Sequence, residues 1–238
     1  MKTILFCIPY AGDSATIYMQ WKQLLGNHIE LYPLELAGRG ARYDEPFDSN
    51  FTSMMNDLAA QIKQYAKNKQ YAIFGHSMGA VLAYELYYLL SEEGFPQPRH
   101  LFLSGRPAPA AQNNRKKSFL SRLVSEKFGE LFPQSGDMPV EIAKHPELAK
   151  KFRQVLKSDL RIMNTYHFIP KQEKLKCPVT IFSGKQDDIS EENILAWRDQ
   201  SNNDCKIVWV KGDHFFLHTR KEELVSVINQ SIPEIISS

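Results

Sequence analysis

Tyr71-Ala72-Ile73-Phe74-Gly75-His76-Ser77-Met78-Gly79-Ala80-Val81-Leu82-Ala83-Tyr84 is the stretch on which the fold turns. It opens with a short apolar run of the kind that forms a strand buried on both faces, and from 78 to 93 it continues with a helical pattern. Between the two lies Gly75-x-Ser77-x-Gly79. A strand that turns sharply into a helix crowds its neighbours at the turn, and glycines on either side of the serine keep Cβ atoms out of that place. A serine there also stands at the positive end of the helix, where backbone N–H groups stabilise developing negative charge. The five-residue string alone arises often by chance; the strand before it and the helix after it give it meaning. Ser77 is therefore expected to be a nucleophile.

Outward from this turn the chain alternates short β-rich runs with longer stretches of helical period, the pattern of a parallel sheet covered by helices on both faces. Strands are expected over 3–8, 29–34, 71–74, 100–104, 179–183 and 207–210. Helices are expected over 16–25, 50–67, 78–93, 190–200 and 221–229, with Asn50 and Ser190 as candidate N-caps. From 105 to about 176 the alternation stops. That stretch offers helical pieces at 119–128, 145–156 and 158–166, interrupted by Pro107, Pro109, Pro133, Pro139 and Pro170. Such a length between two strands of one sheet reads as an insertion, and about 106–172 is expected to form a helical lid. A separate helical domain is the alternative, disfavoured by the lack of strands and the position after the fourth one. The expected fold is α/β, of the α/β-hydrolase type: a single domain over 1–238 with a mostly parallel sheet flanked by helices.

A serine hydroxyl is a poor nucleophile near neutral pH. It needs a base that an acid orients, and in this fold both follow the serine in the order acid, then histidine. The run 179–184 is followed by Lys185-Gln186-Asp187-Asp188, and 207–210 by Lys211-Gly212-Asp213-His214. Both reach the C-terminal edge of the sheet, where the 75–79 turn also lies. His214 is the expected general base. His76, beside the nucleophile, is poorly placed to accept its proton. His218, one helical turn past His214, reads as a surface or lid-contact residue; a metal pair at that spacing would need further ligands, and none clusters nearby. The spacing Gly184-x-x-Asp187 favours Asp187 over Asp188 as the acid, leaving the other solvated or capping. The tetrahedral intermediate needs two N–H donors. Met78 supplies one, and Ala11, in the Pro9-Tyr10-Ala11-Gly12 loop after the first strand, is the candidate for the second. A plain strand-ending turn is the alternative for that loop. Chemistry of this kind needs neither a metal nor a bound cofactor.

Composition narrows the remaining classes. With 43% hydrophobic and 24% charged residues the chain has an ordinary globular balance, so disorder and fibrous repeats are set aside. A formal net charge of +2 is too small to imply nucleic-acid binding, and no basic run interleaved with aromatics supports it. Cys7, Cys177 and Cys205 are widely separated, with no Cys-x-x-Cys pair, and are expected as reduced thiols. The first apolar run, Ile4-Leu5-Phe6-Cys7-Ile8, is too short for a signal-peptide core or a membrane span, hence the expectation of a cytoplasmic protein with no membrane partner.

Taken together, these segments resemble the type II thioesterases that accompany nonribosomal peptide and polyketide synthases. Pro9-Tyr10-Ala11-Gly12 is similar to that family's Pro-x-Ala-Gly-Gly start, and Gly38-Arg39-Gly40-Ala41-Arg42 to its Pro-Gly-Arg-Gly-x-Arg segment. Gly75-His76-Ser77-Met78-Gly79-Ala80 and Gly212-Asp213-His214-Phe215-Phe216-Leu217 match its serine turn and histidine segment, and Ser158-Asp159-Leu160-Arg161 through Tyr166 resembles its lid. Three positions depart from the pattern. Asp13 replaces the second glycine of the start, Ala37 the proline before Gly-Arg-Gly, and Asp213 the second glycine before the histidine. The resemblance implies hydrolysis of acyl groups carried as thioesters on the phosphopantetheine arm of an acyl- or peptidyl-carrier protein, clearing misprimed or stalled chains. Carrier proteins are generally acidic, so Arg115-Lys116-Lys117, Lys150-Lys151 and Arg153 are candidates for an approach surface, a solvated helical face being the alternative. Rival readings are a small-molecule carboxylesterase or acyltransferase on the same triad and a catalytically silent interaction module. A monomer is the default, with a lid covering the apolar mouth.

Overall fold

Buried strands must satisfy their backbone polar groups against one another once both faces are covered, and six apolar runs do so here. The computed structural model describes residues 2–109 and 145–234. Its strands are β1 (Thr3–Ile8), β2 (Ile29–Pro33), β3 (Tyr71–His76), β4 (Leu101–Ser104), β5 (Val179–Gly184) and β6 (Cys205–Val210). They form one sheet in the order β2-β1-β3-β4-β5-β6, each neighbouring pair parallel. This is the α/β-hydrolase arrangement, with the strands' C-terminal ends along one edge.

Period-2 alternation divides the core between the two faces. Ile4, Phe6, Ile8, Ile73, Leu103 and Ile181 join one cluster; there they meet α1 (Phe51–Ala66), α2 (Met78–Glu92) and the end of α3 (Pro146–Met163). Leu5, Cys7, Phe74, Phe102 and Phe182 join the other, with Tyr18 and Trp21 from the 3-10 segment Ala15–Gln23 and Leu224, Val225 and Ile228 from the last helix, Lys221–Ser231. Two short helices, α4 (Glu191–Leu195) and α5 (Phe216–Thr219), precede α6 (Lys221–Ser231). Each large apolar side chain so buried contributes about 1.5–3 kcal/mol relative to exposure.

Local departures from expectation have local causes. The segment expected as a helix over 16–25 is a 3-10 helix, Ala15–Gln23, capped by Ser14, whose hydroxyl accepts from Thr16 N–H. Asn50 caps α1 through a reciprocal box with Ser53, whereas Ser190 makes no side-chain cap bond. The helix expected over 190–200 splits into α4 and a 3-10 turn, Ala196–Gln200. The two helical pieces expected at 145–156 and 158–166 are one helix, α3, running through Lys157 and Ser158. Its start has Pro146 at the first helical position, where a missing N–H costs nothing. The helical piece expected at 119–128 and the cluster Arg115-Lys116-Lys117 lie outside the described residues.

Candidate active site

The β3–α2 turn holds Ser77 at φ 54° and ψ −108°, a conformation that costs a residue with a side chain on the order of 1–3 kcal/mol. Three contacts impose it. Ser77 N–H donates to the Ser104 carbonyl at 2.8 Å. A Cβ on Gly75 would lie 2.0 Å from the Gly79 carbonyl oxygen, and one on Gly79 would lie 2.3 Å from that of Ile8. The ends of β1 and β3 thus approach α2 to a distance only glycine allows. Ser77 occupies the N-cap position of α2, so the Met78 N–H is the first of the helix's orphan donors.

Residues 9–15, after β1, are held by side chains arriving from several directions. Gly12 N–H donates to Asp159 Oδ2 at 2.8 Å, and Ser14 N–H to Asp13 Oδ1 at 2.7 Å. Glu35 accepts from the Ser14 hydroxyl at 2.6 Å and from Ala15 N–H at 3.1 Å. Asp13 N–H is taken by the Tyr10 carbonyl at 3.3 Å. The Ala11 N–H has no hydrogen-bond partner among the described residues. A loop whose N–H groups from Gly12 to Ala15 are pinned while the Ala11 N–H just before them stays open is suited to hold a developing oxyanion.

At the C-terminal ends of β5 and β6, His214 Nδ1 lies 2.8 Å from Asp187 Oδ2, with side-chain exposures of 14% and 3%. Gly184 and Gly212 bring the two loops together: Lys185 N–H bonds the Val210 carbonyl at 2.8 Å and Gln186 N–H that of Gly212 at 2.9 Å. Asp188 is exposed. The contact turns Nδ1 of His214 to the carboxylate and so fixes the orientation of the ring.

His76 lies fully buried, its Nδ1 2.8 Å from Ser104 Oγ and its ring centroid 5.1 Å from that of His214. Burial, and then the neighbouring His214 and His218, push its pKa well below 6.5. It therefore stays neutral. His218 is at the surface as expected, but it contacts the loop after β1: its Nε2 lies 2.9 Å from Tyr10 Oη. The Tyr10 hydroxyl donates to Asp13 Oδ2 at 2.5 Å. Burial first, and Asp13 second, push the phenol's pKa up, so it keeps its proton.

Two contributors carried no assigned role in the sequence reading. Asp159, on α3, and Arg39, before the 3-10 turn Gly40–Arg42, form a buried two-pronged ion pair at 2.5 and 2.6 Å. Both sit inside segments quoted for family resemblance, and that is the signal by which they could have been found. Cys7, Cys177 and Cys205 are free thiols; burial raises Cys177 to about 12. Among the described residues no group of three or more His, Cys, Asp and Glu side chains is arranged to hold a metal ion. No helix among them is long and apolar enough to cross a membrane.

Comparison with known proteins places this geometry in context. The thioesterase domain family matches residues 3–232. Linear gramicidin dehydrogenase LgrE of Brevibacillus parabrevis is 31% identical over 97% of this chain and 88% of its own. Gramicidin S biosynthesis protein GrsT of Aneurinibacillus migulanus is 29% identical over 99% and 91%. The crystal structure of ClbQ, from the colibactin nonribosomal peptide/polyketide pathway, superposes with a TM-score of 0.86 at 32% identity, covering 97% of each chain.

Proposed function

Because the chain belongs to the thioesterase domain family, we propose that it hydrolyses acyl thioesters on the phosphopantetheine arm of a carrier protein, with Ser77 as nucleophile, His214 as general base and Asp187 as the acid that orients it. The observation that carries this reading is the 2.8 Å contact between His214 Nδ1 and Asp187 Oδ2, made at the same sheet edge as the strained Ser77 turn.

In this mechanism His214 Nε2 takes the Ser77 hydroxyl proton as Oγ bonds to the thioester carbonyl carbon. The oxyanion rests on the Met78 and Ala11 N–H groups. The C–S bond breaks, the thiol leaves with the proton from His214, and an acyl-serine remains. Water, deprotonated by His214, then attacks the acyl carbon; the C–Oγ bond breaks, the proton returns to Ser77, and the acid departs. Asp187 holds the imidazole in the required tautomer and stabilises its protonated form.

The gramicidin S and colibactin contexts of two relatives support a carrier-bound substrate and a role in clearing misprimed or stalled chains. The word dehydrogenase in the name of a third has no counterpart in the motifs of this chain. Its β1 runs into Pro9-Tyr10-Ala11-Gly12, not a Gly-x-Gly-x-x-Gly dinucleotide turn. A partner surface is supported by α3, where Lys150, Arg153, Lys157 and Arg161 occupy exposed positions three or four residues apart, one face of the helix. Lys151, expected to join them, is turned aside: its Nζ lies 3.7 Å from the Tyr43 ring centroid.

The test sets an acetyl-loaded carrier protein beside p-nitrophenyl acetate, with Ser77→Ala and His214→Ala as controls. Higher kcat/KM on the carrier thioester, lost in both variants, is expected; preference for the free ester would replace this reading with that of a small-molecule carboxylesterase.

A further inference from the structure

The carboxylate of Asp159 is wholly buried, yet it does not serve its own helix. Its two oxygens receive the Arg39 guanidinium at 2.5 and 2.6 Å, and Oδ2 also accepts the Gly12 N–H at 2.8 Å. Arg39 Nη1 reaches the Asp13 carbonyl oxygen at 3.2 Å. The ion pair therefore grips residues 12 and 13 from both the N–H and the C=O side. Packing reinforces the grip. Gly12 adopts φ +92°, and a Cβ there would lie 3.1 Å from Leu156 and 3.3 Å from Phe152, both on α3.

The residue before Gly12 is Ala11, whose N–H has no hydrogen-bond partner among the described residues. Backbone geometry couples the two. The Gly12 N–H bond to Asp159 fixes the Ala11–Gly12 peptide plane and the Arg39 bond to the Asp13 carbonyl fixes the Asp13–Ser14 plane; the segment so held presents the Asp13 N–H to the Tyr10 carbonyl at 3.3 Å, and that carbonyl shares its peptide plane with the Ala11 N–H. A bond to an ionised acceptor is shorter and stronger than a neutral one, and the fork of Arg39 fixes the carboxylate's plane as well as its charge.

We propose that Asp159, braced by Arg39, is a positioning residue for the hydrolysis: it sets the orientation of the Ala11 N–H toward the tetrahedral intermediate formed on Ser77. This rests on the reading of Ser77 as nucleophile and of Ala11 and Met78 as oxyanion donors. A positioning role differs from simple bracing of the fold in where the effect appears. Loss of one oxyanion donor costs about 100- to 1000-fold in kcat, and misplacement by about 1 Å costs on the order of 100-fold. A donor displaced but retained is expected to cost about 10- to 100-fold.

The experiment compares wild type, Asp159→Asn and Arg39→Lys on a small acyl thioester, with activity normalised to folded protein by thermal melting and active-site titration. Each is also titrated with a trifluoromethyl ketone, which forms a tetrahedral adduct on a serine nucleophile, and with the carboxylate product. Asp159→Asn should lower kcat about 10- to 100-fold at unchanged KM and weaken the ketone by a similar factor while leaving the product's affinity unchanged. Arg39→Lys keeps the charge but loses the fork. It should fall between wild type and Asp159→Asn, and it supplies the same readout if Asp159→Asn does not fold. Unchanged kcat and ketone affinity per folded molecule, or an effect on KM alone, would overturn the proposal. Ser77→Ala serves as the separate control: hydrolysis or ketone binding that survives it overturns the underlying reading instead.

Discussion

The rings of His76 and His214 lie with centroids 5.1 Å apart and planes tilted by 50°, one buried beneath the other. Two imidazoles this close would oppose each other's protonation if both could titrate. Burial prevents that by holding the His76 pKa well below 6.5, so under the proposed mechanism a protonated His214 would face a neutral neighbour. The acid limb of log kcat/KM against pH is accordingly expected to have slope one, with no second ionisation from His76. A slope of two would mean that His76 gains its proton in the same range.

The two adjacent aspartates make a sharper test. Asp187 is bonded to His214 and nearly inaccessible, whereas Asp188 is exposed. Asp187→Asn should lower kcat by about 10³- to 10⁴-fold, because an amide cannot stabilise the imidazolium and favours the wrong tautomer. Asp188→Asn should leave kcat within about threefold of wild type. Steady-state kinetics of the purified variants decides it, and equal losses in both would remove Asp187 from its proposed role.

At the serine turn the constraint is steric and acts on folding. Because a Cβ at Gly79 would enter the Ile8 carbonyl, a backbone group that cannot swing aside, Gly79→Ala should destabilise the protein by at least about 3 kcal/mol. Gly94, where a Cβ would meet nothing within 4 Å, serves as the comparison. Its positive φ of 72° makes Gly94→Ala cost only about 1 kcal/mol. Urea melts of the two variants give the difference.

The exposed face of α3 predicts an effect confined to the large substrate. Arg153→Glu with Lys157→Glu should raise KM for a carrier-bound thioester about tenfold at low salt, with the difference shrinking as ionic strength rises. Turnover of a small thioester should not change. Equal KM values on the carrier substrate would show this face to be merely solvated.

How far such features can be read in advance depends on the distance over which they are decided. The serine turn between β3 and α2 and the positions of the six strands are local patterns, and they are legible; the order of the strands in the sheet is set by pairing between distant segments and is not. Strand ends are less legible than strand positions. β3 runs on through Gly75 and His76 because they pair with Leu103 and Ser104, and that pairing overrides weak intrinsic preference. α3 is expected as two pieces, 145–156 and 158–166, that meet at the polar stretch Lys157-Ser158-Asp159, yet it runs unbroken. Asp159 is instead buried, since its partner Arg39 arrives from 120 residues away, and no helical period encodes that. The four-residue helix α5 is too short to show a period at all.

His100 gives a prediction for stability rather than catalysis. Its ring stacks on Phe102 with centroids 4.2 Å apart, its Nε2 lies 2.8 Å from Thr180 Oγ1, and burial lowers its pKa to about 4. In the unfolded chain the same ring takes up a proton near pH 6.5. Between these values the unfolded state binds the proton and the folded state does not, so stability must fall as pH falls. The contribution is complete above about pH 6.5, shrinks through the window, and is gone below about pH 4, where both states are protonated; its total is about 3 kcal/mol. His100→Gln, which removes the titrating group, should therefore show a flatter dependence of unfolding free energy on pH between 6.5 and 4 than wild type. The two should run parallel above pH 7. Chemical denaturation at half-unit pH steps measures this, and parallel curves throughout the window would show that His100 titrates alike in both states.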